Sequence, residues 1–164
     1  MLVGFMGTGK TTIGKELARR LNFTFIDTDE RIERKTGLTV NDIFKEYGEK
    51  YFRRLEHDLI REISLFNRCI ISTGGGVVLN VENIKLLKQR GVIVCLKADY
   101  KYLLKRLKAA SNRPLLAGEN IYEKIPKLLK EREQYYKCAD IYINIENKTV
   151  SEITDEIIKD IERI

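Results

Sequence analysis

An α/β fold is predicted: a five-stranded parallel sheet flanked by helices on both faces, in three layers. Three observations predict it. Apolar strand-like runs alternate along the chain with segments of helical period. The runs RCIIST (68–73) and VIVCL (92–96) are continuous rather than alternating in apolar character, as strands buried on both faces are. Residues 4–11, GFMGTGKT, fit the phosphate-loop pattern G-x-x-x-x-G-K-[ST], which belongs between a strand and a helix. A chain of 164 residues, 43% hydrophobic and 33% charged, suits a single domain spanning 1–164, with a core that needs no disulfide or metal.

Met1–Val3 supplies the first strand. The strand feeding a phosphate loop is normally central, so a run this short is expected to be the tail of a longer strand. Lys10–Leu21 sets Ile13, Leu17, Ala18 and Leu21 on one helical face. A short strand, Phe23–Ile26, ends in Asp27-Thr28-Asp29, and a helix from about Asp29 to Lys35 is closed by Gly37. Thr39 then caps a helix carrying Val40, Ile43, Phe44 and Tyr47, broken at Gly48, after which Glu49–Leu65 continues with Phe52, Leu55, Leu59 and Ile63. The strand Arg68–Thr73 runs into Gly74-Gly75-Gly76. Helix Val81–Gln89, strand Val92–Leu96 and helix Asp99–Ala109 follow, then the polar stretch SNRPLLAGEN. A helix from about Tyr122 to Lys137, a strand Ile141–Ile145 and a helix Ser151–Ile164 complete the chain.

The net charge of +6 raises nucleic acid as a partner, but Lys and Arg are interspersed with acids instead of clustered. Cations of this kind suit a nucleoside triphosphate and an acidic substrate better. Cys69, Cys95 and Cys138 have no metal-ligand spacing, and an odd count without a framework points to a reducing compartment. No apolar run approaches the roughly 18 residues of a membrane span, and no charged leader precedes an apolar stretch. A cytoplasmic protein is expected.

Several residues carry chemistry. Gly4, Gly7 and Gly9 let the loop backbone curl so that N–H groups face phosphate oxygens, with Lys10 reaching the β- and γ-phosphates and Thr11 offering its hydroxyl to Mg²⁺. Asp27 and Asp29, at i and i+2, share one side if the chain there is extended; one carboxylate then holds Mg²⁺ through water and the other takes a hydroxyl proton. The competing reading makes them helix-capping acids. Three glycines directly after a buried strand mark a close approach of backbone to ligand. Glu56, three residues after Arg53, is placed to orient its guanidinium fork. Arg113 lies before Pro114 in the polar segment that suits a mobile lid, and Arg132 has Tyr136 four residues on. His57, the only histidine, has no partner by spacing and reads as a bystander.

Taken together, GFMGTGKTTIGKELA, FIDTDERIE, IFKEYGEKYFRRLE, STGGG, NRPLL and REQYY, in this order over nearly the whole chain, make the sequence resemble the shikimate kinases, a family of the nucleoside monophosphate kinase-like P-loop fold. The resemblance implies ATP-dependent phosphorylation of the 3-hydroxyl of shikimate, with Mg²⁺. It implies Asp29 as substrate ligand and base, and Asp27 with Thr11 at the metal. Arg53 and Arg132 would grip the substrate carboxylate, with Gly74, Gly75, Gly76, Phe44, Phe52 and Glu56 around the ring. ATP would meet Gly4, Gly7, Thr8, Gly9, Lys10, Thr11 and Thr12, with Arg106 along the adenine and Arg113 closing over the phosphates. A substrate-binding helical region at about 29–65, a lid at about 111–122 and a monomer are expected. A kinase for gluconate or a nucleoside monophosphate would keep the phosphate loop without aiming both Arg53 and Arg132 at a carboxylate. A regulatory nucleotide switch would bind without transfer.

Overall fold

The computed structural model describes residues 1–108 and 121–164. Its strands are β1 (Leu2–Gly4), β2 (Thr24–Asp27), β3 (Cys69–Ser72), β4 (Val94–Lys97) and β5 (Ile141–Asn144). They form one parallel sheet in the order β2-β3-β1-β4-β5. The helices are α1 (Lys10–Leu21), α2 (Thr28–Thr36), α3 (Val40–Ile63), α4 (Val81–Lys88), α5 (Tyr100–Lys108), α6 (Ile121–Tyr136) and α7 (Val150–Ile161). A 3₁₀ turn at Val77–Leu79, which no sequence signal had suggested, links the glycine run to α4.

Short as it is, β1 is central: Leu2 pairs with Ser72 of β3, and Leu2, Val3 and Gly4 pair with Val94, Cys95 and Leu96 of β4. Successive residues of these strands point to opposite faces. Val3, Ile71 and Cys95 therefore join Phe52, Ile60 and Leu87 beneath α3 and α4. Leu2, Ile70 and Val94 join Ile13, Leu17, Ile153 and Ile157 beneath α1 and α7. Each such side chain withdrawn from water contributes about 1.5–3 kcal/mol, which holds the three layers together. β5 differs from the expected continuous burial. As an edge strand it buries Ile141 and Ile143 and leaves Tyr142 and Asn144 exposed.

The break expected at Gly48 is present, with φ 79° and ψ 171° inside α3. α2 begins at Thr28, earlier than expected, because Asp27 caps it: its carboxylate accepts from the Asp29 and Glu30 amides. Ile121 and Tyr122 are already helical in α6, so the last two positions of the expected lid belong to a helix. The remainder of that lid, Arg113 included, lies outside the described residues. Among the described residues no helix is long and apolar enough to cross a membrane.

Candidate active site

The carboxyl ends of β1, β2 and β3 converge, and each delivers one functional segment, as ligand sites in open parallel sheets are built. β1 leads into residues 5–9 and α1. The start of α1 is unlike that of its neighbours. Helices α2, α3, α4 and α7 have side-chain caps from Asp27, Thr39, Asn80 and Thr149. α1 begins at Gly9 with no side-chain cap and no acid in its first turn. The positive dipole end of α1 thus faces no acid of its own first turn, which suits an external anion.

A cleft of about 280 Å³ opens there, lined by Gly7, Gly9, Lys10, Thr11, Thr12, Asp27, Asp29, Gly74 and Arg106 among others. Lys10 Nζ donates to the carbonyls of Gly4 (2.9 Å) and Phe5 (3.0 Å), which folds it over its own loop. Thr11 Oγ1 donates to Asp27 Oδ2 at 2.8 Å. Asp27 caps α2 through one oxygen, as the competing reading has it, and meets Thr11 through the other, which leaves that oxygen in the cleft. The extended-chain argument for Asp29 does not hold, because Asp29 sits in the first helical turn. It reaches the same cleft by the turn of a helix.

A smaller cavity of about 70 Å³ adjoins, lined by Met6, Asp29, Val40, Phe44, Phe52, Arg53, Gly74, Gly75, Gly76 and Arg132. The two hollows share Met6, Asp29, Gly74 and Gly75. Phe44 and Phe52 form an apolar wall, their ring centroids 4.9 Å apart. Arg53 is clamped by Glu49 (2.9 Å) and Glu56 (2.9 Å) on its own helix. Arg132, only 5% exposed, lies with its guanidinium over the Phe5 ring and against the Tyr136 hydroxyl. That hydroxyl donates to the Gly75 carbonyl at 2.8 Å.

At two of the three glycines an added side chain would displace the ends of site side chains. A Cβ on Gly76 would fall 2.5 Å from Arg53 Cζ, and one on Gly74 would fall 2.9 Å from both Asp29 Oδ1 and Glu56 Oε1. A side chain at 76 and the Arg53 guanidinium cannot occupy the same place. Gly75 is looser, with nothing nearer than 3.5 Å.

Glu56 is 1% exposed and stands behind Arg53 instead of lining the cavity. Burial pushes its carboxyl up to about 7; Arg53 on its own helix and Arg132 from α6 oppose that, and Asp29 from α2 adds to it. An ordinary Glu ionises near 4.5, so the unfolded chain releases this proton well before the folded one does. The stabilisation is complete below pH 4.5 and is lost as the pH rises through about 7. Glu56→Gln cannot ionise. Thermal melting from pH 5 to 8 should show wild type losing stability relative to Glu56→Gln, by on the order of a few kcal/mol. A difference that stays constant across that window would refute the assignment.

Thr8, expected at ATP, is 1% exposed and commits its hydroxyl to Phe5 O at 2.8 Å. It faces a separate hollow of about 320 Å³ behind the loop, with Phe5, Leu96, Leu103 and Leu129. Arg106 reaches the edge of the phosphate cleft beside Gly9. His57 is not a bystander: its Nδ1 lies 2.7 Å from Asn83 Oδ1. Sequence reasoning missed Val40 and Met6 in the cavity wall, and Thr28, whose hydroxyl accepts the Gly74 amide at 3.1 Å. Thr28 sits between Asp27 and Asp29, and Tyr136 four residues past Arg132, so position within a motif was the available signal. Met6, inside GFMGTGKT, had the same signal, and Val40 had none.

The family model described as shikimate kinase matches residues 6–162. A shikimate kinase from Thermodesulfovibrio yellowstonii is 48% identical over 164 residues, covering 100% of this chain and 95% of that protein. Another from Thermoanaerobacter pseudethanolicus is 46% identical over 159 residues, covering 97% and 93%. The solved structure of shikimate kinase from Acinetobacter baumannii in complex with shikimate matches with a TM-score of 0.94 at 38% identity, over 99% of this chain and 91% of that one.

Proposed function

Because this chain belongs to the shikimate kinase family, we infer that it transfers the γ-phosphoryl group of ATP to the 3-hydroxyl of shikimate, a step toward chorismate and the aromatic amino acids. One observation carries the reading at the level of the site. The phosphate cleft and the arginine-lined cavity meet at Asp29, Gly74 and Gly75, where donor and acceptor must come together.

In this reading the shikimate carboxylate lies between Arg53 and Arg132, whose planar forks match it bidentately. Phe44, Phe52 and Val40 cover the ring, and the glycines let it approach the backbone. Asp29 takes the proton of the attacking hydroxyl while that oxygen bonds to the γ-phosphorus and ADP leaves. The α1 amides and Lys10 cradle the phosphates, with Lys10 exchanging its loop carbonyls for phosphate oxygens. Arg106 would flank the adenine and Arg113 would close over the phosphates with a lid at about 111–122. The helical region at about 29–65 would carry most of the substrate contacts.

Mg²⁺ fits the donors present. Thr11 and Asp27 offer hard oxygens side by side in the phosphate cleft. Among the described residues there is no cluster of three or more His, Cys, Asp or Glu that could hold a metal. That suits an ion that fills its shell with phosphate oxygens and water. When bound, Mg²⁺ neutralises charge on the β- and γ-phosphates. A monomer working in the cytoplasm on small molecules, without nucleic acid or membrane partners, completes the proposal; three free cysteines fit a reducing compartment.

ADP release measured side by side with shikimate, quinate, gluconate and AMP tests the reading. Shikimate should be preferred by at least about a hundredfold in kcat/KM, as a site that pairs a carboxylate and several hydroxyls discriminates. Comparable rates with gluconate or AMP would sink it.

A further inference from the structure

His57 follows Glu56 on α3 and stands one helical turn beyond Arg53. Its partner, Asn83 on α4, is 1% exposed. The Asn83 amide is fixed in orientation because its Nδ2 donates to the Val77 carbonyl at 3.4 Å. Asn83 Oδ1 therefore faces His57, and Nδ1 must carry the proton in the 2.7 Å contact. Asn80 Nδ2, 3.5 Å from the same nitrogen, is then a neighbour and not a donor to it; Asn80 Oδ1 accepts the Glu82 amide.

Val77 directly follows Gly76, the residue against which the Arg53 guanidinium rests. The contacts close a ring: Arg53 to Gly76, Gly76 to Val77, Val77 to Asn83, Asn83 to His57, and His57 back along α3 to Arg53. The ring joins α3 to the glycine run through two hydrogen bonds, beside the apolar packing of Phe52 and Ile60 with Val77 and Val78.

We propose that His57 is a positioning residue for the acceptor half of the site: through Asn83 it holds the turn after Gly76 at the distance from α3 that Arg53 requires. Loss of the imidazole leaves Asn83 Oδ1 buried without its donor and frees the turn to shift under Arg53. The phosphate cleft lies on the far side of the glycines and keeps its own supports, among them the Thr28 hydroxyl beneath the Gly74 amide. The inference rests on shikimate occupying the Arg53 cavity, which turnover by the unaltered enzyme tests separately.

The experiment compares His57→Ala, His57→Asn and His57→Gln for shikimate KM, ATP KM and melting temperature. Asn presents its amide nitrogen near the place of Nδ1, whereas Gln presents it near Nε2. His57→Ala and His57→Gln should raise shikimate KM about five- to tenfold with ATP KM within about twofold, and His57→Asn should restore shikimate KM to within about twofold. The proposal is overturned if shikimate KM is unchanged in His57→Ala, if both KM values rise together, or if Asn is no better than Gln. The Asn and Gln comparison decides the matter even if His57→Ala does not fold.

Discussion

Asp29→Asn should lower kcat by about 10²- to 10⁴-fold while ATP affinity stays within about twofold. Asn keeps the shape and one acceptor oxygen but cannot take the proton of the attacking hydroxyl. Asp29 lies where the phosphate cleft and the arginine-lined cavity meet, so the lost function is transfer and not nucleotide capture. Asp29 also belongs to the first turn of α2, where a negative charge favours the helix by about 0.3–1 kcal/mol. The Asp27 cap remains in place, so the melting temperature should fall by only a few degrees. A coupled assay for kcat and calorimetry for ATP binding decide the matter. Near-normal turnover in the variant would exclude Asp29 as the base.

Arg132→Ala should raise shikimate KM by about 10- to 100-fold, the loss of a charge-assisted pair worth about 1.5–3 kcal/mol, with a much smaller change in ATP KM. The separation is a strict test because Arg132 lies over Phe5 of the phosphate loop as well as beside Gly75. If its main service were to pack the loop, both constants would rise together. Arg132→Lys restores the charge without the planar fork and should recover only part of the affinity. Equal effects on the two substrates would remove Arg132 from the carboxylate.

The parts of this protein legible in sequence are those where one short segment carries the whole signal. GFMGTGKT placed a turn between a strand and a helix, and the period of Ile13, Leu17 and Ala18 gave the buried face of α1. Gly48 announced its break, and Thr39 its cap. The sheet order was not legible, because parallel neighbours such as Leu2 and Val94 are joined only by distant crossovers. Asp29 was placed on the right cleft by the wrong geometry: extended and helical chains both bring i and i+2 near a strand end, and the cap by Asp27 decided for the helix. The motif puts Thr8 in the loop, and the fold adds that its hydroxyl turns to Phe5 O. His57 shows a limit of such reading. Its partner lies 26 positions away, and no spacing rule within α3 could have revealed it.

The central place of β1 has a consequence for assembly. β1 precedes both of its ladder partners, Ser72 of β3 and Val94–Leu96 of β4, so on a growing chain its ladder is incomplete until β4 has been made. Closing contacts across such separations costs loop entropy that local helix formation does not. α1 and the capped helices α2 and α3 can form early from nearby residues; the curved backbone between β1 and α1 takes its final shape only when β3 and β4 have docked on either side. The segment that is simplest to recognise in the sequence is thus one whose flanking strands come from far along the chain.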